Sequence, residues 1–374
     1  MRVNFILPGL PTVPVGGFRA VYEYANHLVK RGHQIAVVHP ARLHDHVPPR
    51  AYGRNPYRWL RGRVGQVVHT LFPAPLRWQQ IDGKVEILYT LDLRAERIPE
   101  ADVVFATSWH TAEYVRGYPP EKGVKCYLIQ HYETWSGPKD RVDATWRALR
   151  CVVIARWLKE VGLELGCEEI TSIPYGIDHD TFRVLVPIAP RAQRAAMMYS
   201  RLDWKGSDDG LEALEIAKSA HPDLEAVLFG VPKRDSKIPS WIEYFENPPQ
   251  SELAAHIYNE SRVFVAPSWT EGWGLPGGEA MACGCALVST ESGGVREYAE
   301  HGVSALISPP RDPQALAHNL IRLLDDDALR VKLAEAGNRS IRWFTWERST
   351  EHLEQFIEGA VGKEAVGSRQ WAGS

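Results

Sequence analysis

The chain has no excess of charge of one sign, no long apolar run and no cysteine framework, and each lack removes a class of protein. Its 374 residues carry 43 Lys and Arg against 46 Asp and Glu, a net charge of -3, so the broad positive field of a nucleic-acid binder is missing and no nucleic acid is expected as partner. No stretch approaches the roughly 18 uninterrupted apolar residues of a membrane span, and the N-terminus MRVNFILPG has too short an apolar core for a secretory signal. A cytoplasmic protein is expected. The five cysteines, Cys126, Cys151, Cys167, Cys283 and Cys285, are odd in number, and the C-x-C pair lacks the second pair of a zinc site. They read as free core thiols.

Acid is also missing locally. Residues 46–81 contain none, but carry Arg50, Arg54, Arg58, Arg61, Arg63 and Arg77 beside an apolar stripe of Tyr57, Leu60, Val64, Val67 and Leu71. Three readings stay open for this segment: a solvated basic helix, peripheral contact of residues 50–77 with an anionic membrane, or a positive wall for an acidic acceptor.

What the chain does have is strand and helix in alternation. Residues 2–39 read as one βαβ unit, with RVNFILP and QIAVVHP as strands and Gly16-Gly17 in the loop that opens the helix. Val21, Tyr24, Ala25, Leu28 and Val29 keep the helical period, and Lys30-Arg31-Gly32 ends it. Strands apolar on both faces follow at 102–107, 125–130 and 151–154, then at 195–200, 224–229, 262–266 and 285–289, as in buried parallel sheets. Helices are expected at 207–220, 313–336 and 346–361. The stretch 184–194, with its two prolines, reads as a linker between two doubly wound α/β domains. The expected division is 1–183 and 184–346, with a C-terminal helix at about 347–361 packing back on the first domain and a flexible tail over 362–374.

The segment PSWTEGWGLPGGEAMACG, residues 267–284, carries most of the chemistry. Its glycines and Pro276 interrupt any helix joining Glu271 to Glu279, so Glu279 is expected to open a short helix, EAMAC. Backbone N–H groups before that helix suit a phosphate. Thirteen tryptophans are also unusual; their faces suit sugar rings, but equally fill large cores.

This E-x7-E segment resembles that of the GT-B glycosyltransferases grouped as family 4. So do the Gly16-Gly17 loop, IPYGIDHDTF (173–182), SRLDWKG (200–206), STESGGVREY (289–298) and VSALISP (303–309), in the same order along nearly the whole chain. The resemblance implies an α/β GT-B fold, two Rossmann-like domains facing each other across a cleft, the first binding acceptor and the second a nucleotide-sugar donor. It implies a retaining hexosyltransferase acting on a hydroxyl of a glycan or lipid-linked glycan, with the nucleoside diphosphate sugar as co-substrate and neither cofactor nor metal. In that family's terms Arg201 and Lys205 would clamp the diphosphate, and Glu279 would accept hydrogen bonds from the ribose. Glu271 with the backbone of Gly272, Trp273, Gly274 and Leu275 would hold the sugar and phosphate. Gly16 and Gly17 would let their loop approach the diphosphate, and His131 would lie beside sugar and acceptor. His110 is a secondary candidate. The Arg201-to-Lys205 spacing is one residue shorter than the common form, and Tyr175 replaces an Asn. Asp178-His179-Asp180 spells a metal-binding D-x-D, but its place after a proline-glycine turn gives it a structural role. Competing readings are a sugar-nucleotide epimerase of the same fold, a dinucleotide oxidoreductase, which lacks its glycine fingerprint, and a lectin.

Overall fold

The computed structural model describes residues 1–41, 43, 76 and 78–371. The six arginines and the apolar stripe of the 46–81 segment, and with them the expected membrane contact through 50–77, lie outside the described residues. The chain forms two compact units, Met1–Ile173 with Glu347–Ser374, and Pro174–Trp346.

The first unit is built on a seven-stranded sheet: β1 Arg2–Ile6, β2 Gln34–Pro40, β3 Glu86–Thr90, β4 Val103–Ala106, β5 Val124–Ile129, β6 Arg150–Val153 and β7 Ile170–Ser172. The order is β3-β2-β1-β4-β5-β6-β7, and every pairing is parallel. That is the doubly wound arrangement, in which the strand order reverses beside β1. Helix α1, Gly16–Lys30, buries Val21, Tyr24, Ala25, Leu28 and Val29, the residues of its apolar period. Helices α2 Trp109–Val115, α3 Lys139–Arg147 and α4 Arg156–Glu164 follow β4, β5 and β6.

The second unit has six parallel strands: β8 Arg194–Met198, β9 Glu225–Gly230, β10 Ile242–Glu246, β11 Val263–Ala266, β12 Ala286–Thr290 and β13 Ala305–Ser308. Their order, β10-β9-β8-β11-β12-β13, repeats that of the first unit. Its helices are α5 Ser207–Ala220, α6 Leu275–Ala282, α7 Pro313–Asp325 and α8 Asp327–Ile341. The single helix expected over 313–336 is two, because the Asp326 carboxylate caps α8 by accepting from the Leu329 N–H at 2.9 Å. Residues 174–183 cluster with this unit. The Ile177 N–H donates to the Phe344 carbonyl at 3.0 Å, and the Phe182 ring lies 6.0 Å from that of Tyr258. The irregular stretch after them is strapped down by two buried arginines, Arg191 on the carbonyls of Val186 and Cys283, and Arg330 on those of Ile188 and Ala189.

The last helix, α9 Trp346–Trp371, joins the first unit from Glu347 onward. It buries Leu353, Ile357 and Ala360 there, with Phe356 at 6.3 Å from Phe105 and Ser349 at 2.6 Å from the Tyr24 hydroxyl. Arg31 and His33 both meet Glu354. Its backbone is helical through Trp371, where a tail was expected from 362. All five cysteines are buried. Among the described residues no helix is long and apolar enough to cross a membrane.

Candidate active site

In the second unit the side chains of Lys205 and Glu271 meet. Lys205 ends the short turn Asp203–Lys205 after β8, and Glu271 follows β11. The ammonium donates to both carboxylate oxygens, at 2.7 and 2.9 Å, and the Ser268 hydroxyl donates to one of them at 2.8 Å. The pair is 22% and 16% exposed, so its charges are only partly screened by water. Glu271 is fixed by its backbone as well: its N–H donates to the Ser292 carbonyl, and its carbonyl accepts from Gly294. Arg201 lies on the same loop but does not join them. Its guanidinium is 58% exposed and donates to Asp235 at 3.2 Å.

Beyond Glu271 the chain turns through Gly274, whose φ of 93° favours glycine, and enters α6 at Leu275. The helix therefore starts four residues before Glu279, contrary to the sequence reading in which Glu279 opens it. Pro276 sits in the first turn, where its missing N–H is harmless. Gly277 and Gly278 belong to the helix because packing demands them. A Cβ there would stand 2.5 Å from the Tyr298 hydroxyl and 2.8 Å from the Trp273 ring. Gly272, Trp273 and Leu275 are buried, and Trp273 packs at 4.6 Å on Tyr298, whose hydroxyl donates to the Gly274 carbonyl. Burial, with Glu271 and Glu279 nearby, pushes the Tyr298 phenol well above its ordinary range, so it stays a donor.

Glu279 is 2% exposed and accepts from the Tyr258 hydroxyl at 3.2 Å. Tyr258 is delivered by a π-helical stretch, Leu253–Tyr258, and no sequence signal marked it. Tyr175 is part of this packing, with its ring 6.3 Å from Trp273 and 5.6 Å from Trp346. The D-x-D is a turn: the Asp178 carboxylate accepts from the N–H groups of Asp180 and Thr181, and His179 donates to Phe344. Among the described residues no group of three or more His, Cys, Asp or Glu is placed to hold a metal ion.

Gly16, Gly17 and His131 belong to the first unit. Gly16 and Gly17 open α1, and a Cβ on Gly17 would come within 2.9 Å of the Gln130 amide, next in sequence to His131. His131 follows β5 with its ring edge-on to Trp135 at 4.5 Å and Trp157 at 5.4 Å. Trp135 is 44% exposed, which leaves an aromatic surface beside the imidazole. Glu133 accepts from the Trp109 N–H at 2.9 Å, at the start of α2. Burial holds its carboxyl up at about 7, against the smaller downward pull of that N–H and of Tyr127. The His110 ring lies 3.9 Å from that of Trp109, tilted by 32°.

Residues 188–340 match the family model described as Glycosyl transferases group 1. The chain is 31% identical over 125 residues to a Corynebacterium glutamicum (strain R) protein named D-inositol 3-phosphate glycosyltransferase; this covers 33% of the chain and 30% of that relative. The first curated relatives are thus matched over only 30 to 39% of their length. A Mycobacterium tuberculosis (strain H37Rv) protein named phosphatidyl-myo-inositol mannosyltransferase is 25% identical over 394 residues, 98% of both chains. Among solved structures, Anabaena HepE with UDP and glucose superposes with a TM-score of 0.70 at 13% identity, over 96% of this chain and all of that one. The two-unit α/β architecture is the GT-B fold.

Proposed function

We propose that this chain, a GT-B protein whose second unit is a group 1 glycosyl transferase domain, is a hexosyltransferase that moves a sugar from a nucleoside diphosphate donor to a hydroxyl acceptor. The observation that carries the reading is the Lys205–Glu271 pair beside the N-terminal end of α6. Lys205 supplies a cation, and the α6 end supplies N–H groups and a positive dipole, for the diphosphate. Glu271 and the Gly272–Leu275 backbone hold the sugar and phosphate, while Glu279 accepts from the ribose hydroxyls. Arg201 completes the clamp when its exposed guanidinium exchanges Asp235 for phosphate.

The chemistry proposed is transfer with retention, without metal. The sugar–phosphate bond breaks toward an oxocarbenium-like sugar, and the departing phosphate takes the proton of the acceptor hydroxyl attacking the same face. Negative charge grows on that phosphate, so Lys205 and Arg201 stabilise the transition state more than the ground state. Gly16 and Gly17, at the start of α1 in the first unit, are assigned to the diphosphate. His131, flanked by Trp135 and Trp157, is assigned to the sugar and to the acceptor, a glycan or lipid-linked glycan. The donor is GDP-mannose or a UDP- or dTDP-hexose. In support, a relative matched over 98% of its length is named a mannosyltransferase, and HepE was solved with UDP and glucose.

Calorimetry with UDP, GDP, ADP and dTDP tests the site. One of them is expected to bind the wild type, and Lys205→Ala to weaken it by about 10- to 100-fold, the worth of a charge-assisted bond. Unchanged affinity removes Lys205 from the diphosphate site.

A further inference from the structure

The second unit holds a cavity of about 360 Å³ lined by none of the residues assigned to the donor. Its polar lining is basic or amide: Arg183, Arg342, His179 and Asn338, with Phe182 and Ala282 among its apolar walls and no carboxylate. Among the described residues neither guanidinium has an acidic partner. Arg342 donates to the side-chain amide oxygen of Asn338, at 3.1 Å. The other end of the same amide donates to the carbonyls of Met281 and Ala282, at 3.1 and 2.8 Å. Asn338 thus both orients Arg342 and neutralises the last carbonyls of α6, whose partial negative charge would otherwise oppose an anion. His179 donates through Nε2 to the Phe344 carbonyl at 3.1 Å, which fixes its ring in the cavity wall.

The geometry points to this cavity as a binding site for a phosphomonoester, either inorganic phosphate or a small phosphorylated molecule. Two forked guanidiniums match phosphate oxygens in pairs, and the volume is that of a small-ligand pocket rather than a protein docking face. Its occupant touches the last turn of α6, the helix that carries Glu279, from the end opposite the glycine turn.

The test titrates the full-length chain with inorganic phosphate and with a hexose 6-phosphate at constant ionic strength, against chloride, by calorimetry. The expected result is saturable binding of one or both, weakened at least tenfold in Arg183→Gln/Arg342→Gln and kept within twofold in Lys205→Ala. Both arginines are exposed, so the double variant is expected to fold, as its unfolding temperature will verify. Tighter binding of the hexose phosphate than of phosphate identifies an ester as occupant. Equal affinity in the double variant, loss confined to Lys205→Ala, or no binding beyond the chloride control overturns the site. The donor reading stands or falls separately, on the nucleotide titration.

Discussion

Glu133 shows how one buried carboxyl makes stability depend on pH. Its folded-state value of about 7 lies above the 4.5 of an ordinary glutamate because burial disfavours the charge. Between those values the folded chain holds a proton that the unfolded chain has lost, so this group's contribution to stability falls as pH rises from about 4.5 to about 7, then stays level. Glu133→Gln cannot titrate and keeps an oxygen for the Trp109 N–H. The wild type is therefore expected to lose thermal stability relative to Glu133→Gln on going from about pH 5 to about pH 8. A constant difference in unfolding temperature means the carboxyl titrates normally. Glu279 presents a different case, since its bond to Tyr258 ties a proposed ribose ligand to the π-helical stretch. Glu279→Ala is expected to weaken nucleotide binding by about tenfold, and calorimetry that finds no change excludes the ribose role.

At the scale of elements, the glycines of α6 are packing choices. Gly278→Ala places a methyl 2.8 Å from Trp273 and 3.2 Å from Ile177, and overpacking of this kind costs about 1–3 kcal/mol. Gly359→Ala, on α9 with nothing within 4 Å of the new methyl, is expected to stabilise by about 0.5–1 kcal/mol. Denaturant midpoints moving in opposite directions check the pair. Those same glycines explain why the start of α6 was not legible in the sequence: Leu-Pro-Gly-Gly carries no helical period, and only Tyr298 and Trp273, close in space, account for it. The strands divide in a similar way. The nine apolar runs readable in the sequence became the central strands, buried on both faces. The four strands not read, β3, β7, β10 and β13, are the four sheet edges, short and packed by a neighbour on one side only, so their pattern is weak. The chemistry-bearing motifs were legible as residues. That Lys205 pairs with Glu271 while Arg201 turns to Asp235 was not, because side-chain partners are set by loop geometry.

At the scale of the whole molecule, the first unit is discontinuous in sequence. A chain ending at Trp346 lacks Leu353, Ile357 and Ala360 in its core and Glu354 beside Arg31 and His33. Hydrogen exchange is expected to quicken in β1, β4 and β5 of that truncated chain and to stay unchanged in β8, β11 and β12. Equal loss of protection in both units would mean that α9 supports the second unit as well.

That discontinuity also sets an order of events on the ribosome. All of residues 174–346 are synthesised before the piece that closes residues 1–173, so the domain encoded second is the first whose own stretch of chain is complete. At about 5–20 residues per second, the apolar faces of Tyr24 and Phe105 wait many seconds for Ser349 and Phe356. During that interval the first domain exposes the apolar surface that Leu353, Ile357 and Ala360 later cover, and a stop in the message before α9 leaves that surface open.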